Sequence, residues 1–143
     1  MQALCNLVKA YGPVVGRILI TPLFLLSGYQ KITGFTAVAA TMGKAGLPFP
    51  EFLLVGSIAF ELGGGLMVLL GWHARFGALL LAVFTLAATL VFHNFWAVDA
   101  AQYSNQLNHF MKNLSILGAL VFIMAAGSGP FSLGKEGKSG SAR

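Results

Sequence analysis

The sequence predicts an all-α protein: an antiparallel bundle of four transmembrane helices, with a short interfacial helix between the first and second spans. Hydrophobic residues make up 57% of the 143-residue chain and charged residues only 9%, with a mean hydropathy of +0.79. A soluble domain carries about 25% charged residues, so too little polar surface remains here for a water-facing exterior. The apolar stretches also lack the period-two alternation of a membrane β-barrel.

The four predicted spans cover residues 13–30, 52–71, 76–96 and 110–127. Each is close to the roughly 20 residues that a membrane helix needs. The first is not a signal peptide, because it exceeds the usual apolar length and Lys31 separates it from the small residues that follow. We therefore expect residues 1–134 to form one membrane domain. Residues 135–143 have almost no apolar side chains, which predicts a disordered basic tail.

The connections between spans carry three further predictions. The turn from Trp72 to Arg75 is tight, so the second and third helices should be antiparallel neighbours. Residues 97–109 are expected to form a short polar loop. The long connection, residues 31–51, has apolar residues at the helical spacing i, i+3, i+4 and i+7, which predicts a short helix on the outer membrane surface. These residues are Phe35, Val38, Ala39 and Met42.

The distribution of Lys and Arg predicts the orientation. An even number of spans places both termini on one side, which would hold Lys9, Arg17, Arg75, Lys135, Lys138 and Arg143. The other side would hold Lys31, Lys44 and Lys112. The excess predicts that both termini are cytoplasmic. The net charge of +5 is then a topological signal, and no basic face remains for nucleic-acid binding.

Glu61 stands in the middle of the second span, within the stretch VGSIAFELGGGLMVLLGW. It lies about 15 Å from either interface at 1.5 Å per residue. A charge at that depth costs at least about 2.5–3.5 kcal/mol. Ser57, Gly64 and Gly65 share its helical face and would let another helix approach, so Glu61 should face the bundle. Two interpretations stay open: a proton-handling or ligand-binding carboxylate, or a structural ion pair with Arg17.

Other polar groups gather in the third span and at the predicted outer ends of the helices. Thr85, Thr89 and His93 recur every four residues and form one stripe. Snorkelling and interface anchoring offer a structural explanation for the groups at the ends. These groups are Lys31, Glu51, His93, Trp96, His109, Lys112 and Asn113.

The sequence argues against several kinds of redox site. Cys5 is the only cysteine, so a paired-thiol cycle within the chain is excluded. His73 and His93 are predicted on opposite sides and could not share one haem. His93 and His109 without a carboxylate cluster make a weak case for a metal. No metal site and no intrinsic redox centre are therefore predicted.

Several segments in order resemble the DoxX family of small four-helix membrane proteins. They are Arg17, SGYQK at 27–31, GLP at 46–48, ELGGG at 61–65, Arg75, FHNFW at 92–96, KN at 112–113 and GSGPFSLG at 127–134. The resemblance covers nearly the whole chain and implies a compact antiparallel bundle. It also implies association with membrane redox systems, such as thiosulfate or quinol oxidation and thiol-based oxidant defence.

Together these features predict a quinone-interacting component of a bacterial inner-membrane redox system. Glu61 and His93 would exchange protons as the catalytic groups, and a bound quinone would be the cofactor. The predicted ligand-binding residues are Lys31, Lys112, Asn113, Trp96 and Arg17. Expected partners are the lipid bilayer, a redox-enzyme subunit and a second copy of the chain. Two alternatives stay open: a non-enzymatic scaffold that recruits a redox enzyme, and a small-solute or proton transporter. Whether the chain is itself an enzyme also stays open.

Overall fold

The structure, a computed structural model, describes residues 1–134. The predicted fold class is confirmed: the described chain is helical without strands, and four helices are long and apolar enough to cross a membrane. The predicted tail, residues 135–143, lies outside the described residues. The helices are α1 (Gln2–Thr33), α2 (Phe35–Lys44), α3 (Pro50–Leu70), α4 (Ala74–Phe92) and α5 (Ala100–Ala126), with a 3₁₀ turn at Phe95–Ala97.

Helices α3 and α4 are antiparallel neighbours, as the short connection predicted. Gly71 adopts a left-handed conformation (φ 66°) and ends α3. Farther along the pair, a methyl group at Gly64 would come within 2.9 Å of the carbonyl oxygen of Gly77. The two backbones therefore pass in direct contact, which only glycine permits. Small residues serve this purpose in membrane bundles, where close packing replaces the hydrophobic effect.

Helix α1 packs antiparallel against α3. A methyl group at Gly28 would come within 2.7 Å of Leu62, and one at Gly65 within 2.9 Å of Leu25. Residues later in α1 thus face residues earlier in α3. This register sets the depth of each polar group on α1 relative to those on α3.

The four long helices pack in the order α1, α3, α4, α5, and α1 and α5 scarcely touch. The core combines residues from all four helices: Phe24, Val68, Ala78, Leu81 and Leu120. Leu120 is the one buried residue of α5. The bundle is therefore open along the side between α1 and α5, and most of α5 faces outward.

Helix α2 matches the helix predicted in the long connection. Ala39 and Met42 are buried against Leu54 of α3, and Phe35 and Val38 pack on the same cluster. The four residues that gave the helical spacing thus form the face that holds α2 to the bundle.

The predicted polar loop at residues 97–109 is wrong, because α5 already begins at Ala100. Asp99 caps the helix by accepting a hydrogen bond from the backbone N–H of Gln102 at 3.0 Å. Helix α1 is also longer than the predicted first span, since it begins at Gln2 rather than near residue 13. Hydropathy locates the part of a helix that spans a membrane, but the helix itself can extend beyond that part.

Candidate functional site

Glu61 is buried and paired with a lysine. Its side chain is 1% exposed, which confirms that it faces the bundle. Lys31 Nζ lies 2.5 Å from Glu61 Oε2 and 4.4 Å from the centre of the Phe84 ring. The aromatic face adds a cation–π contact to the ion pair. The predicted pairing of Glu61 with Arg17 is wrong: the partner comes from the other end of α1.

The ion pair lies near the middle of the bundle. Gly28 packs against Leu62 and Glu61, and Lys31 lies one turn beyond Gly28, about 4.5 Å along the axis. Glu61 itself is halfway along the 21-residue α3. Lys31 was expected to close the first span at the interface. The structure instead places α2 beyond it, so that the ammonium group is held inside and its side chain is 20% exposed.

A cavity of about 480 Å³ lies beside the ion pair. Its walls come from α2, α3 and α4 and are almost wholly apolar. Lys31 is the one charged residue in its lining. The two hydroxyl groups there, on Thr41 and Ser57, donate hydrogen bonds to carbonyls of their own helices, so they are not free to bind a ligand as donors. Phe52 and Val83 line the cavity and are 77% and 51% exposed, so its mouth opens on the side of the bundle.

The predicted threonine stripe is buried between α4 and α5. Thr85 and Thr89 are 4% and 3% exposed. Thr89 Oγ1 accepts a hydrogen bond from Asn113 Nδ2 at 2.9 Å and donates to the carbonyl of Thr85. Asn113, predicted as a ligand-binding residue, thus joins α5 to α4 inside the bundle. A hydrogen bond of this kind stabilises helix association in membranes.

A second polar cluster lies at the end of the bundle where α5 begins. The rings of His93 and His109 stack with centroids 5.0 Å apart. His93 Nδ1 lies 3.0 Å from Gln106 Oε1, and Lys112 Nζ lies 3.4 Å from His109 Nδ1. We call these four residues the histidine cluster. His93 comes nine residues after Phe84, so the cluster is about 13 Å along α4 from the ion pair.

Trp96 lies beside the histidine cluster in the 3₁₀ turn. It is 59% exposed, and its ring meets Phe95 and Phe110 edge to face. The contacts are those of an interface anchor, which was the structural explanation for this residue.

Arg17 lies at the opposite end of the bundle and is 2% exposed. Its Nη2 donates to the backbone carbonyls of Pro130 at 3.3 Å and Phe131 at 3.0 Å. A side chain at Gly71 would overlap Arg17 Nη1, so this glycine makes room for the guanidinium. The segment 127–134 folds back here, and Leu133 N–H donates to the carbonyl of Leu70 at 3.0 Å.

The predicted site residues therefore occupy four places. Lys31 and Glu61 pair beside the cavity, and Asn113 bonds to Thr89 between α4 and α5. His93 and Lys112 belong to the histidine cluster, with Trp96 beside it, and Arg17 lies at the opposite end of the bundle. Sequence reasoning missed Phe84, which faces Lys31, and Gln106, which faces His93. Gln106 is three residues before His109 and so shares its helical face, a spacing that could have identified it. No group of three or more His, Cys, Asp or Glu within residues 1–134 is arranged to hold a metal.

Comparison with known proteins identifies the family. The DoxX family model matches residues 12–94, which is more than half of the chain. The chain belongs to the DoxX family. The match includes both members of the ion pair, Arg17, and the helix pairs that hold them, whereas α5 lies beyond it.

Two DoxX relatives come from Escherichia coli K12. The inner membrane protein YqjF is 38% identical over 85% of this chain and 88% of its own length. The inner membrane protein YphA is 26% identical over 86% of this chain and 88% of its own length. The ER-derived vesicles protein ERV29 of Saccharomyces cerevisiae is 24% identical over 91% of this chain, which corresponds to 35% of that protein. No solved structure matches this DoxX chain.

Proposed function

We propose that this DoxX protein is an inner-membrane component of a redox system and binds a quinone in the cavity beside Lys31 and Glu61. The membrane assignment rests on the four apolar helices and on the printed names of YqjF and YphA, which are inner membrane proteins. The observation that carries the proposal is an apolar cavity, open to the side of the bundle, with Lys31 at its wall and the buried Glu61 paired with that lysine.

The chemistry of a quinone fits these surroundings. Its ring and tail are apolar and travel within the bilayer, so a lateral opening gives direct access. The cavity volume falls within the range of about 300–1,000 Å³ that small-ligand pockets commonly have. Lys31 can donate a hydrogen bond to a quinone carbonyl, as a few placed polar groups in an apolar pocket usually do.

The Glu61 carboxylate, which is in contact with the Lys31 ammonium group, supplies a proton acceptor. A quinol that gives two electrons to a partner redox protein also loses two protons. Lys31 can take one of them as it passes one of its own ammonium protons to the Glu61 carboxylate, and the partner protein that accepts the electrons takes the other. The ion pair thus combines a group that orients the head of the ligand with a group that accepts a proton. The histidine cluster, about 13 Å away along α4, does not share this cavity.

The test uses purified protein in mild detergent, with native mass spectrometry for bound quinone and a melting curve with an added short-tailed ubiquinone analogue. Gly56 lines the cavity and has open space around its Cβ position, so Gly56→Leu should fill the cavity and abolish binding. Lys31→Gln should weaken binding by about tenfold or more, the usual effect of losing a charge-assisted hydrogen bond.

Two matched variants serve as controls. Gly63 also has open space but does not line the cavity, and Lys44 is an exposed lysine on α2. Gly63→Leu and Lys44→Gln should bind quinone as the unaltered protein does. The proposal fails if no quinone binds to the unaltered protein, or if Gly56→Leu retains it.

A second candidate is a scaffold that recruits a redox enzyme without binding the ligand itself. Helix α5 favours it, because Leu120 is its one buried residue and its outer surface has no partner in the described chain. Under this hypothesis a partner protein would co-purify equally with the unaltered protein and with Gly56→Leu. The quinone hypothesis requires instead that the cavity variant lose ligand.

A further inference from the structure

The open side of the bundle contains a second cavity, of about 380 Å³, at the end opposite the histidine cluster. Its walls come from α1 and α5, the two long helices that scarcely touch. Gly12 and Gly16 leave space on its α1 wall, and Ile20, Ala119 and Ile123 make it apolar toward the bundle centre. Arg17 lines its end.

The hydrogen-bonding capacity of Arg17 is only partly used. The guanidinium has five N–H donors, and Nη2 alone has partners, both of them neutral carbonyls. Nε and Nη1 are buried without a partner. Ser128 Oγ, next to the cavity residue Gly127, is the third buried side-chain atom without one in residues 1–134. Leaving buried donors unpaired costs about 1–3 kcal/mol each, and more for charged groups.

The charge of Arg17 also has no acidic partner among the described residues. Glu61 is paired with Lys31. Glu51 and Asp99 begin α3 and α5, at the other end of the bundle. The last acidic residue, Glu136, lies outside the described residues. A buried charge without a counter-ion is costly, so an anion that reached it would be held strongly.

We propose that the α1–α5 cavity binds a membrane phospholipid, with its phosphate on Arg17 and an acyl chain against Ile20 and Ala119. A guanidinium matches a phosphate oxyanion in shape and charge. Arg17 adjoins Gly71, where α3 ends, so it lies near the membrane boundary where phosphate groups lie. The acyl chain fills the apolar gap that α1 and α5 leave.

The test uses protein purified in detergent. Native mass spectrometry measures the phospholipid that the protein retains, and a melting curve measures the rise in melting temperature when phosphatidylglycerol is added. Arg17→Gln should weaken binding by about tenfold or more. Gly16→Leu provides a variant that keeps the arginine, since Gly16 lines the cavity and its Cβ position has open space. We expect it to fold and to lose the lipid. If Gly16→Leu keeps the lipid, the proposal is wrong even where Arg17→Gln fails to fold.

Matched controls separate this site from general attraction to anionic lipid. Lys9→Gln removes an exposed cation from the same helix, and Gly118→Leu adds bulk to α5 outside the cavity. Both should retain the lipid.

Equal stabilisation by inorganic phosphate would overturn the lipid assignment in favour of a free anion. Equal binding of diacylglycerol would overturn the role of Arg17. Binding that appears only in Glu136→Gln would show that the tail of the protein, not a lipid, neutralises Arg17.

Discussion

At the scale of single residues, the pairing of Lys31 with Glu61 explains how a carboxylate is held in the middle of an apolar bundle. Each charge alone would be expensive at that depth. Together, with the Phe84 ring against the ammonium group, they offset part of each other's desolvation. The pair also joins α1 to α3, so its loss should affect folding as well as any ligand.

A double-variant cycle tests this pair. Glu61→Gln and Lys31→Gln each leave one buried charge unpaired, and breaking such a pair typically costs about 3–5 kcal/mol. The double variant should be more stable than the sum of the single losses predicts, because neither charge remains. Melting in detergent measures this, with Arg17→Gln as the comparison. Since Arg17 contacts neither residue of the pair, its effect should simply add to that of Glu61→Gln.

If the Arg17→Gln and Glu61→Gln losses of stability prove coupled while those of Lys31→Gln and Glu61→Gln add independently, the observed pairing would be contradicted.

The same residues show how much of the site could be predicted from the sequence. The burial of Glu61 was predictable, because its own helix places small residues around it. Its partner was not, since three cations on α1 were available and only the register of α1 against α3 selects Lys31.

At the scale of helices, the contact of α3 with α4 depends on two glycines. A methyl group at either Gly64 or Gly77 would come within 2.9 Å of the carbonyl oxygen of the other residue. Backbone atoms cannot move aside as a flexible side chain can. Gly64→Ala and Gly77→Ala should therefore push the helices apart and destabilise the bundle by about 1–3 kcal/mol, as overpacking commonly does.

Gly63→Ala is the matched control for this prediction, because its Cβ position meets no atom within 4 Å. It should melt at the temperature of the unaltered protein or slightly higher, since alanine favours helix over glycine. Three equal melting temperatures would mean that α3 and α4 do not pass in backbone contact. Detergent melting curves of the three variants suffice to decide.

The same scale shows why the start of α5 was mispredicted. The residues from Ala100 to His109 are largely polar, so hydropathy alone assigned them to a loop. Asp99 followed by Gln102 is a capping pattern, and the cap is what begins the helix. For α2 the sequence sufficed, because the apolar spacing of Phe35, Val38, Ala39 and Met42 corresponds directly to the packed face.

At the scale of the whole molecule, the open side between α1 and α5 and the lateral cavity give the bundle two routes to the bilayer. They lie toward opposite ends: the first cavity is lined partly by α2, and the second by the segment of α1 around Arg17. Hydropathy could predict the number of spans. It could not predict this gap, which depends on how four helices share their contacts.

The orientation of the molecule is the last prediction: we expect both termini in the cytoplasm. Lys31 is paired with Glu61 inside the bundle and so does not act as a loop charge, which leaves Lys44 and Lys112 on the side of the histidine cluster. Arg17 is also buried and is set aside, which leaves Lys9, Arg75, Lys135, Lys138 and Arg143 on the side of the termini in sequence. Five cations against two keep the positive-inside excess that the sequence predicts. The single native cysteine, Cys5, is exposed near the start of α1, so its labelling reports the side on which the N-terminus lies.

A membrane-impermeant maleimide should label Cys5 only after the membrane is broken. Ser104→Cys in a Cys5→Ser background should be labelled in intact spheroplasts, because Ser104 is exposed at the opposite end. Labelling of Cys5 in intact spheroplasts, with Ser104→Cys protected, would reverse the orientation and place the phospholipid phosphate in the outer leaflet.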